Sequence, residues 1–165
     1  GVATATKSGF SSSILYLSIY VIMNIGAFAC IFLMKKNGKY TEDIKDLSGI
    51  SKKNPLIAIS FLIILFSLAG IPPLGGFFAK FYIFMSVIEN GMYTLAIIGL
   101  LTTVVSAFYY LRIIKIIYFD ELEKPFDEIK NISITSTVLI SCLLLVTFFL
   151  KPSFLNNIIN SIFIY

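Results

Sequence analysis

This sequence of 165 residues contains four long apolar stretches, and Lys80 is the only charged residue inside them. It lies nine residues before Glu89, or about 13 Å along a helix. A charge in the middle of a membrane costs roughly 2.5 to 3.5 kcal/mol, and ionisable groups there tend to mark ion pathways. Because an amine can take up and release a proton, we predict that Lys80 is a proton relay. The structural alternative is a lysine that extends its stem to the membrane surface.

The residues from Gly70 to Gly76, just before Lys80, disfavour a continuous helix. Prolines lack an amide donor and clash with the preceding turn, whereas glycines permit open backbone conformations. Inside a membrane, backbone without helical hydrogen bonds is tolerated only where it is buried in protein or lines a watery cavity. The segment therefore predicts a broken helix beside a polar pathway. The residues predicted to break the helix are Gly70, Pro72, Pro73, Gly75 and Gly76.

Two further sets of polar residues recur at helical spacing in the first and third apolar stretches. These are Tyr16, Tyr20 and Asn24 in the first stretch, and Thr102, Ser106 and Tyr109 in the third. Residues spaced in this way share one face of a helix, so we predict that they contribute to a polar path for protons. The alternative is that they form hydrogen bonds between helices, which is a common structural use of such residues in membranes.

The elements that position these residues follow from the composition. Apolar residues make up 58% of the chain and charged residues 13%, with a mean hydropathy of +0.92, which is typical of a membrane protein. Each apolar stretch reaches the roughly 20 residues that a helix needs to cross a bilayer. We predict an all-α, polytopic membrane protein with a single domain over residues 1–165 and four transmembrane helices. The predicted spans cover residues 10–34, 55–89 (broken near 70–76), 92–118 and 132–150, and a short interfacial helix follows at 153–165.

Several kinds of site are excluded by residue type. The sequence has no histidine, no GxGxxG motif and no P-loop, so it predicts no redox centre or nucleotide site. Cys30 and Cys142 lie in apolar stretches without CxxC spacing, which indicates buried packing. We predict no catalytic, cofactor-binding or metal-binding residue in this chain.

The distribution of basic residues predicts an orientation. The formal charge of +4 does not indicate nucleic acid, because ten basic residues lie in two loops that flank the apolar stretches. Only Lys7 and Lys151 lie on the opposite side. The positive-inside rule places both basic loops on the cytoplasmic or matrix side and both chain ends outside, with membrane lipids around the spans. The first residue, Gly1, is not methionine, so we expect a fragment of a longer protein.

The stretch from Ser67 to Tyr82, which reads SLAGIPPLGGFFAKFY, resembles the broken-helix motif of the antiporter-like subunits of respiratory complex I. Within that superfamily, Lys80-Phe81-Tyr82 and the segments 43–49 and 109–112 resemble subunit N of NADH-quinone oxidoreductase more than subunits L or M. The similarity extends over most of residues 10–125.

This resemblance implies that the four spans correspond to the last four of a fourteen-helix subunit, of which the chain is the C-terminal portion. It implies a proton-translocating, non-redox subunit of the membrane arm, in a hetero-oligomer with the other membrane-arm subunits of complex I. NADH, FMN, iron–sulfur clusters and quinone would be bound by partner subunits. In such subunits the lysine of the broken helix lies toward the proton outlet, a role that carries over to Lys80. The other charged residues of the family, on earlier helices, are absent here, so the electrostatic partner of Lys80 is expected elsewhere.

The implied location is the bacterial cytoplasmic membrane, or alternatively the mitochondrial inner membrane. Two other functions remain open at this stage. The broken helix also fits a subunit of a multisubunit cation/proton antiporter or of a membrane-bound hydrogenase. A passive membrane scaffold, in which Lys80 contacts a lipid or a backbone carbonyl, is the alternative from a different class.

Overall fold

The computed structural model describes residues 1–121, 126–127 and 131–150, without the side chains of residues 149 and 150. Five α-helices account for most of these residues: α1 (Lys7–Phe32), α2 (Pro55–Ala69), α3 (Gly75–Glu89), α4 (Tyr93–Phe119) and α5 (Ile132–Leu150). Three short 3₁₀ helices lie at Val2–Thr4, Ile44–Leu47 and Ile50–Lys52. The described chain is therefore mostly helical, as predicted. The interfacial helix predicted for Ser153–Tyr165 lies outside the described residues.

The helix ends follow from local residue chemistry. The hydroxyl of Thr6, the N-cap of α1, accepts a hydrogen bond from the amide of Gly9 at 3.1 Å. Helix α2 begins with Pro55, whose missing amide donor has no cost at the first helical position. It ends at Gly70, which adopts the left-handed conformation with φ of 83°. The predicted break thus begins at the residue best able to end a helix.

The core lies where α1 meets α2, α3 and α5. Its large, fully buried apolar side chains include Leu15, Ile19, Met23, Ile57, Ile64, Val138 and Leu145 from α1, α2 and α5, together with Ile50 from the last 3₁₀ helix and Ile117 from α4. Gly26 lets α1 approach α5 closely, because an added Cβ would lie 2.9 Å from the Cβ of Ser141. Cys30 and Cys142 are both buried in this region as free thiols, as their sequence context predicts.

Helix α4 packs on the bundle mainly through its C-terminal half. Ile114 and Ile117 are buried there, whereas Leu101, Val104 and Phe108 are 61% to 67% exposed. An exposed row of large apolar side chains is what a helix presents to lipid or to a neighbouring subunit.

A short β-hairpin between α1 and α2 is an element that the all-α prediction did not include. Strands β1 (Lys35–Lys36) and β2 (Lys39–Tyr40) pair antiparallel. Asn37 and Gly38 connect them with φ of 53° and 76°, the conformation that an Asn-Gly pair favours in two-residue hairpins. The carboxylate of Asp127 accepts hydrogen bonds from both of their amides, at 3.0 and 2.7 Å. The hairpin is therefore held by the segment that precedes α5.

Two more hydrogen bonds join the loops at this end of the bundle. The side chain of Asn54, just before α2, accepts a hydrogen bond from the amide of Phe126 at 3.1 Å. The amide of Gly49 donates to the carbonyl of Ile116 in α4 at 3.0 Å. These contacts, together with Asp127 and the hairpin, are called the loop clasp below.

Two helices, Lys7–Phe32 and Tyr93–Phe119, are long and apolar enough to cross a membrane. A third crossing is reached if Ile44–Lys52 and Pro55–Ala69, which meet at 115°, are counted together. The segment Ile132–Phe148 of α5 is apolar but shorter than these helices. The described residues therefore support two to three spans by length and composition. The predicted count of four remains a prediction.

Candidate functional site

The site is built around the interruption between α2 and α3. The amide of Ile71 donates to the carbonyl of Phe66 at 3.0 Å, which closes the last turn of α2 around Gly70. The following Pro72 and Pro73, joined by a cis peptide bond, cannot continue the helix. Helix α3 then begins at Gly75. The chain thus leaves helical geometry between Gly70 and Leu74, as its prolines and glycines predict.

Lys80 reaches back from α3 to the end of α2. Its amine donates a hydrogen bond to the carbonyl of Leu68 at 2.7 Å. Leu68 lies in the last turn of α2, where carbonyl groups lack helical partners and carry the negative end of the helix dipole. A protonated amine is therefore stabilised at this position by a carbonyl acceptor and by the orientation of the helix. Its side chain is half-buried.

Gly70 provides the space that this contact needs. A Cβ at Gly70 would lie 3.1 Å from Cδ and 3.3 Å from Nζ of Lys80, tighter than ordinary contact. The φ of 83° at the same residue is also one that side-chain-bearing residues rarely adopt. Gly70 therefore serves both the helix end and the placement of the amine.

Gly76 and Ser67 bring the two helices into backbone contact. The amide of Gly76 donates to the hydroxyl of Ser67 at 3.0 Å, and both residues are buried. A Cβ at Gly76 would lie only 1.9 Å from the carbonyl oxygen of Ser67. Only glycine fits at this position. Gly75, beside it, is less constrained, because an added Cβ there would have its nearest neighbours at 3.5 Å.

A cavity of about 290 Å³ adjoins the amine between α3 and α4. Apart from Lys80 and Thr103, the residues that line it are apolar: they are Gly70, Phe77, Phe81, Phe84, Met85, Ile88 and Leu100. Phe81 and Leu100 are each 46% exposed, so this cavity is open to its surroundings. The amine of Lys80 therefore lies beside an open, mainly apolar space.

The polar residues predicted on the first helix lie in α1 and contact one another. The rings of Tyr16 and Tyr20 stack with centroids 5.9 Å apart. Asn24 donates to the carbonyl of Tyr20 at 2.7 Å. Tyr20 and Asn24 also line an open, mainly apolar groove of about 540 Å³ between α1 and α5. They share one helix face, as predicted, and their role in proton transfer stays a prediction.

The polar residues predicted on the third stretch lie in α4. Thr102 and Ser106 donate their hydroxyl hydrogens to carbonyls of their own helix, at 2.8 and 3.0 Å. Tyr109 is 58% exposed. It is the neighbouring Thr103 that lines the cavity beside Lys80. The residue of α4 with a hydroxyl that lines the cavity is therefore one position away from the predicted Thr102, and the role of the predicted residues stays a prediction.

Charged partners of Lys80 were expected outside this chain. Within residues 1–121, 126–127 and 131–150, the ion pairs are Lys36–Asp46 at 2.7 Å and Lys115–Asp120 at 3.9 Å, both in or beside loops. No group of three or more metal-ligating His, Cys, Asp or Glu side chains occurs in that same part of the chain.

Sequence reasoning missed Ser67 and the Leu68 carbonyl. A backbone acceptor has no residue-type signature, so the partner of Lys80 could not be read from the sequence. Ser67 did leave a signal, because a hydroxyl in the last turn before a helix break lies near the unpartnered first amides of the next helix.

Comparisons with known proteins identify the family to which the sequence is similar. The model of the family described as NADH:quinone oxidoreductase/Mrp antiporter, TM, matches residues 1–106. NADH-quinone oxidoreductase subunit N of Pelagibacter ubique is 52% identical over 162 residues, which are 98% of this chain and 34% of that protein. The subunit N of Paramagnetospirillum magneticum is 45% identical over 153 residues, or 93% and 31%. The chain thus spans about a third of the length of these relatives.

Solved structures share the fold. A chain of respiratory complex I from Thermus thermophilus, determined with bound aureothin, has 28% identity and a TM-score of 0.74, covering 87% of this chain and 33% of that chain. A chain of the Mrp complex from Dietzia has the same TM-score, 0.74, with 88% and 35% coverage, but its 19% identity shows likeness of fold alone. Since the family model matches more than half of the sequence, including the broken helix and Lys80, the chain belongs to the NADH:quinone oxidoreductase/Mrp antiporter membrane family.

Proposed function

We propose that this chain is the C-terminal portion of a subunit N of NADH-quinone oxidoreductase and that it carries protons through Lys80. The observation that carries the proposal is the amine of Lys80 against the Leu68 carbonyl, 2.7 Å apart, at the interruption between two helices. An ionisable group at such an interruption is typical of ion pathways in membranes.

The arrangement supports a single broken span. Helices α2 and α3 have 15 residues each, or about 22 Å, which is short of a hydrocarbon core of about 30 Å. Together they are long enough to cross, with the segment Gly70–Leu74 and Lys80 in the interior. With α1, α4 and α5 this makes four spans. The two loops that the loop clasp joins then face the cytoplasm, because they carry ten of the thirteen basic residues.

The chain works as a non-redox part of a larger enzyme. The relatives named above are subunits of NADH-quinone oxidoreductase, and the Thermus chain belongs to respiratory complex I. We place NADH, FMN, iron–sulfur clusters and quinone in partner subunits, with other membrane-arm subunits and lipids around this chain. The bacterial relatives favour the bacterial cytoplasmic membrane. They also favour subunit N over an antiporter or hydrogenase subunit of the same superfamily.

Replacement of Lys80 by methionine in the full-length subunit tests the relay. Methionine keeps much of the length and apolar character of the stem but cannot carry a proton. We expect proton translocation per NADH oxidised to fall by more than half when the assembled complex is reconstituted in proteoliposomes. Lys115→Met is the matched control, since the side chain of Lys115 is 71% exposed at the end of α4, and we expect it to leave translocation unchanged.

Wild-type translocation by an assembled Lys80→Met complex would contradict the relay. In that case the passive scaffold would be the better description, with the Lys80–Leu68 contact serving assembly alone. The passive scaffold would also be the better description if Lys80→Met, but not Lys115→Met, reduced the amount of assembled complex while the complex that did assemble translocated protons normally.

A further inference from the structure

Ser67 makes an unusual hydrogen bond for a serine within a helix. Such a hydroxyl ordinarily donates to a carbonyl three or four residues earlier, as Ser60 does to Leu56 at 2.8 Å in the same helix. The hydroxyl of Ser67 instead accepts the amide hydrogen of Gly76 at 3.0 Å, across the interruption. Ser67 is completely buried, so water does not compete for this contact.

The amide of Gly76 is one of the first in α3 and has no partner in its own helix. A buried amide without a partner destabilises a fold, so Ser67 satisfies a need that the break creates. The absence of a side chain on Gly76 allows the two backbones to approach, because a Cβ would lie 1.9 Å from the Ser67 carbonyl oxygen. The two residues therefore set the spacing between the end of α2 and the first turn of α3.

The same spacing between the two helix ends also determines the contact that Lys80 makes. Leu68, the residue after Ser67, supplies the carbonyl that accepts from Lys80, which lies one turn beyond Gly76. The Ser67–Gly76 and Leu68–Lys80 hydrogen bonds thus join the same two helix ends side by side. A change in the first contact alters the distance available to the second.

We propose that Ser67 is a positioning residue that holds the first turn of α3 so that the protonated amine of Lys80 meets the Leu68 carbonyl. The inference rests on the proposed relay function of Lys80, because Ser67 itself carries no proton along the path. It acts through backbone placement. Among the described residues that line the cavity beside the amine, from α3, α4 and Gly70, Lys80 is the one titratable group.

The test is the pH dependence of proton translocation by the assembled complex that contains full-length Ser67→Ala. Without the hydroxyl, the Gly76 amide loses its acceptor, the first turn of α3 shifts relative to α2, and the hydrogen bond from the protonated amine of Lys80 to the Leu68 carbonyl is weakened. The alkaline limb of the profile then moves toward acid by about one pH unit, as expected when a hydrogen bond to a charged group is lost. Ser67→Thr keeps the hydroxyl and retains the wild-type profile. Ser60→Ala is the matched control, because it removes a buried hydroxyl from the same helix without touching α3.

The outcomes separate this inference from the proposed function. If Ser67→Ala keeps the wild-type profile while Lys80→Met loses translocation, the positioning role is wrong and the relay stands. If Lys80→Met pumps normally, the relay itself is wrong. If Ser67→Ala does not assemble, the nearly isosteric Ser67→Cys provides the same measurement, since a thiol is a weaker acceptor. Its profile moves in the same direction by less, and an unchanged profile overturns the proposal.

Discussion

Replacing Gly76 with alanine adds a methyl group where the backbones of α2 and α3 touch. The new carbon would lie 1.9 Å from the carbonyl oxygen of Ser67 and 2.7 Å from its carbonyl carbon, whereas ordinary contact begins at 3.4 Å. Because both neighbouring atoms belong to the backbone, no side-chain rotation relieves the clash. The two helix ends must move apart.

The expected cost has two parts. Overpacking a buried site costs about 1 to 3 kcal/mol. Separation of the helices also breaks the hydrogen bond from the Gly76 amide to Ser67, and a buried amide without a partner costs about 1 to 3 kcal/mol more. The free energy of unfolding should therefore fall by about 2 to 6 kcal/mol, a large share of the 5 to 15 kcal/mol of a typical domain.

Gly75→Ala is the matched control for this experiment. Gly75 is the neighbouring residue and is also buried, but its added Cβ would have neighbours at 3.5 Å, which is ordinary contact. We expect a change within about 1 kcal/mol, the range of the Gly-to-Ala difference in helices. The measurement is the fraction of each full-length variant retained in the complex as temperature rises. Equal retention of the two variants would refute the close backbone contact.

Gly70→Ala should lower the free energy of unfolding by about 1 to 2 kcal/mol, because residue 70 has a left-handed backbone. The added Cβ should also displace the Lys80 amine and lower proton translocation in proteoliposomes. Gly91→Ala carries similar backbone strain, at φ of 71° in open space, and should leave translocation intact; equal losses would exclude a specific effect on the lysine. The hydrogen bond from Lys36 lowers the pKa of Asp46 below its ordinary value of 3.8. The stabilisation of the fold by this pair is therefore present above pH 3.8 and is lost as the pH falls through the lower pKa of the folded state. The protection factors of residues 35–40, which correct for the intrinsic slowing of amide exchange in acid, should therefore fall in acid for the wild type and change less with pH for Asp46→Asn; an identical pH response would contradict the pair.

The sequence was informative where residue type alone decides conformation. Pro72 and Pro73 cannot continue a helix, and Gly70 is the residue that most readily adopts a left-handed end. The break and the nearby position of Lys80 were predictable for this reason. Long apolar stretches between charged loops also leave few alternatives for where helices begin and end, and the spans themselves stay predictions.

Contacts that depend on backbone atoms were not predictable. The acceptor for Lys80 is a carbonyl, which every residue has, so only the packing of α3 against α2 selects Leu68. It was also not predictable that Thr103, rather than Thr102, lines the cavity. The spacing of polar residues along a helix does not determine how that helix is rotated about its axis. The hairpin is different, because Asn37-Gly38 is a recognised signal for a two-residue turn and lies in the sequence itself.

The loop clasp restricts how the second helix can move. Asn54, at the start of α2, is tied to Phe126, and the preceding Gly49 is tied to α4. One end of α2 is thus anchored to its neighbours, while the other end meets α3 through the Ser67–Gly76 and Leu68–Lys80 hydrogen bonds. A tilt of α3 relative to α2 would therefore have to break these two contacts and would change the surroundings of Lys80.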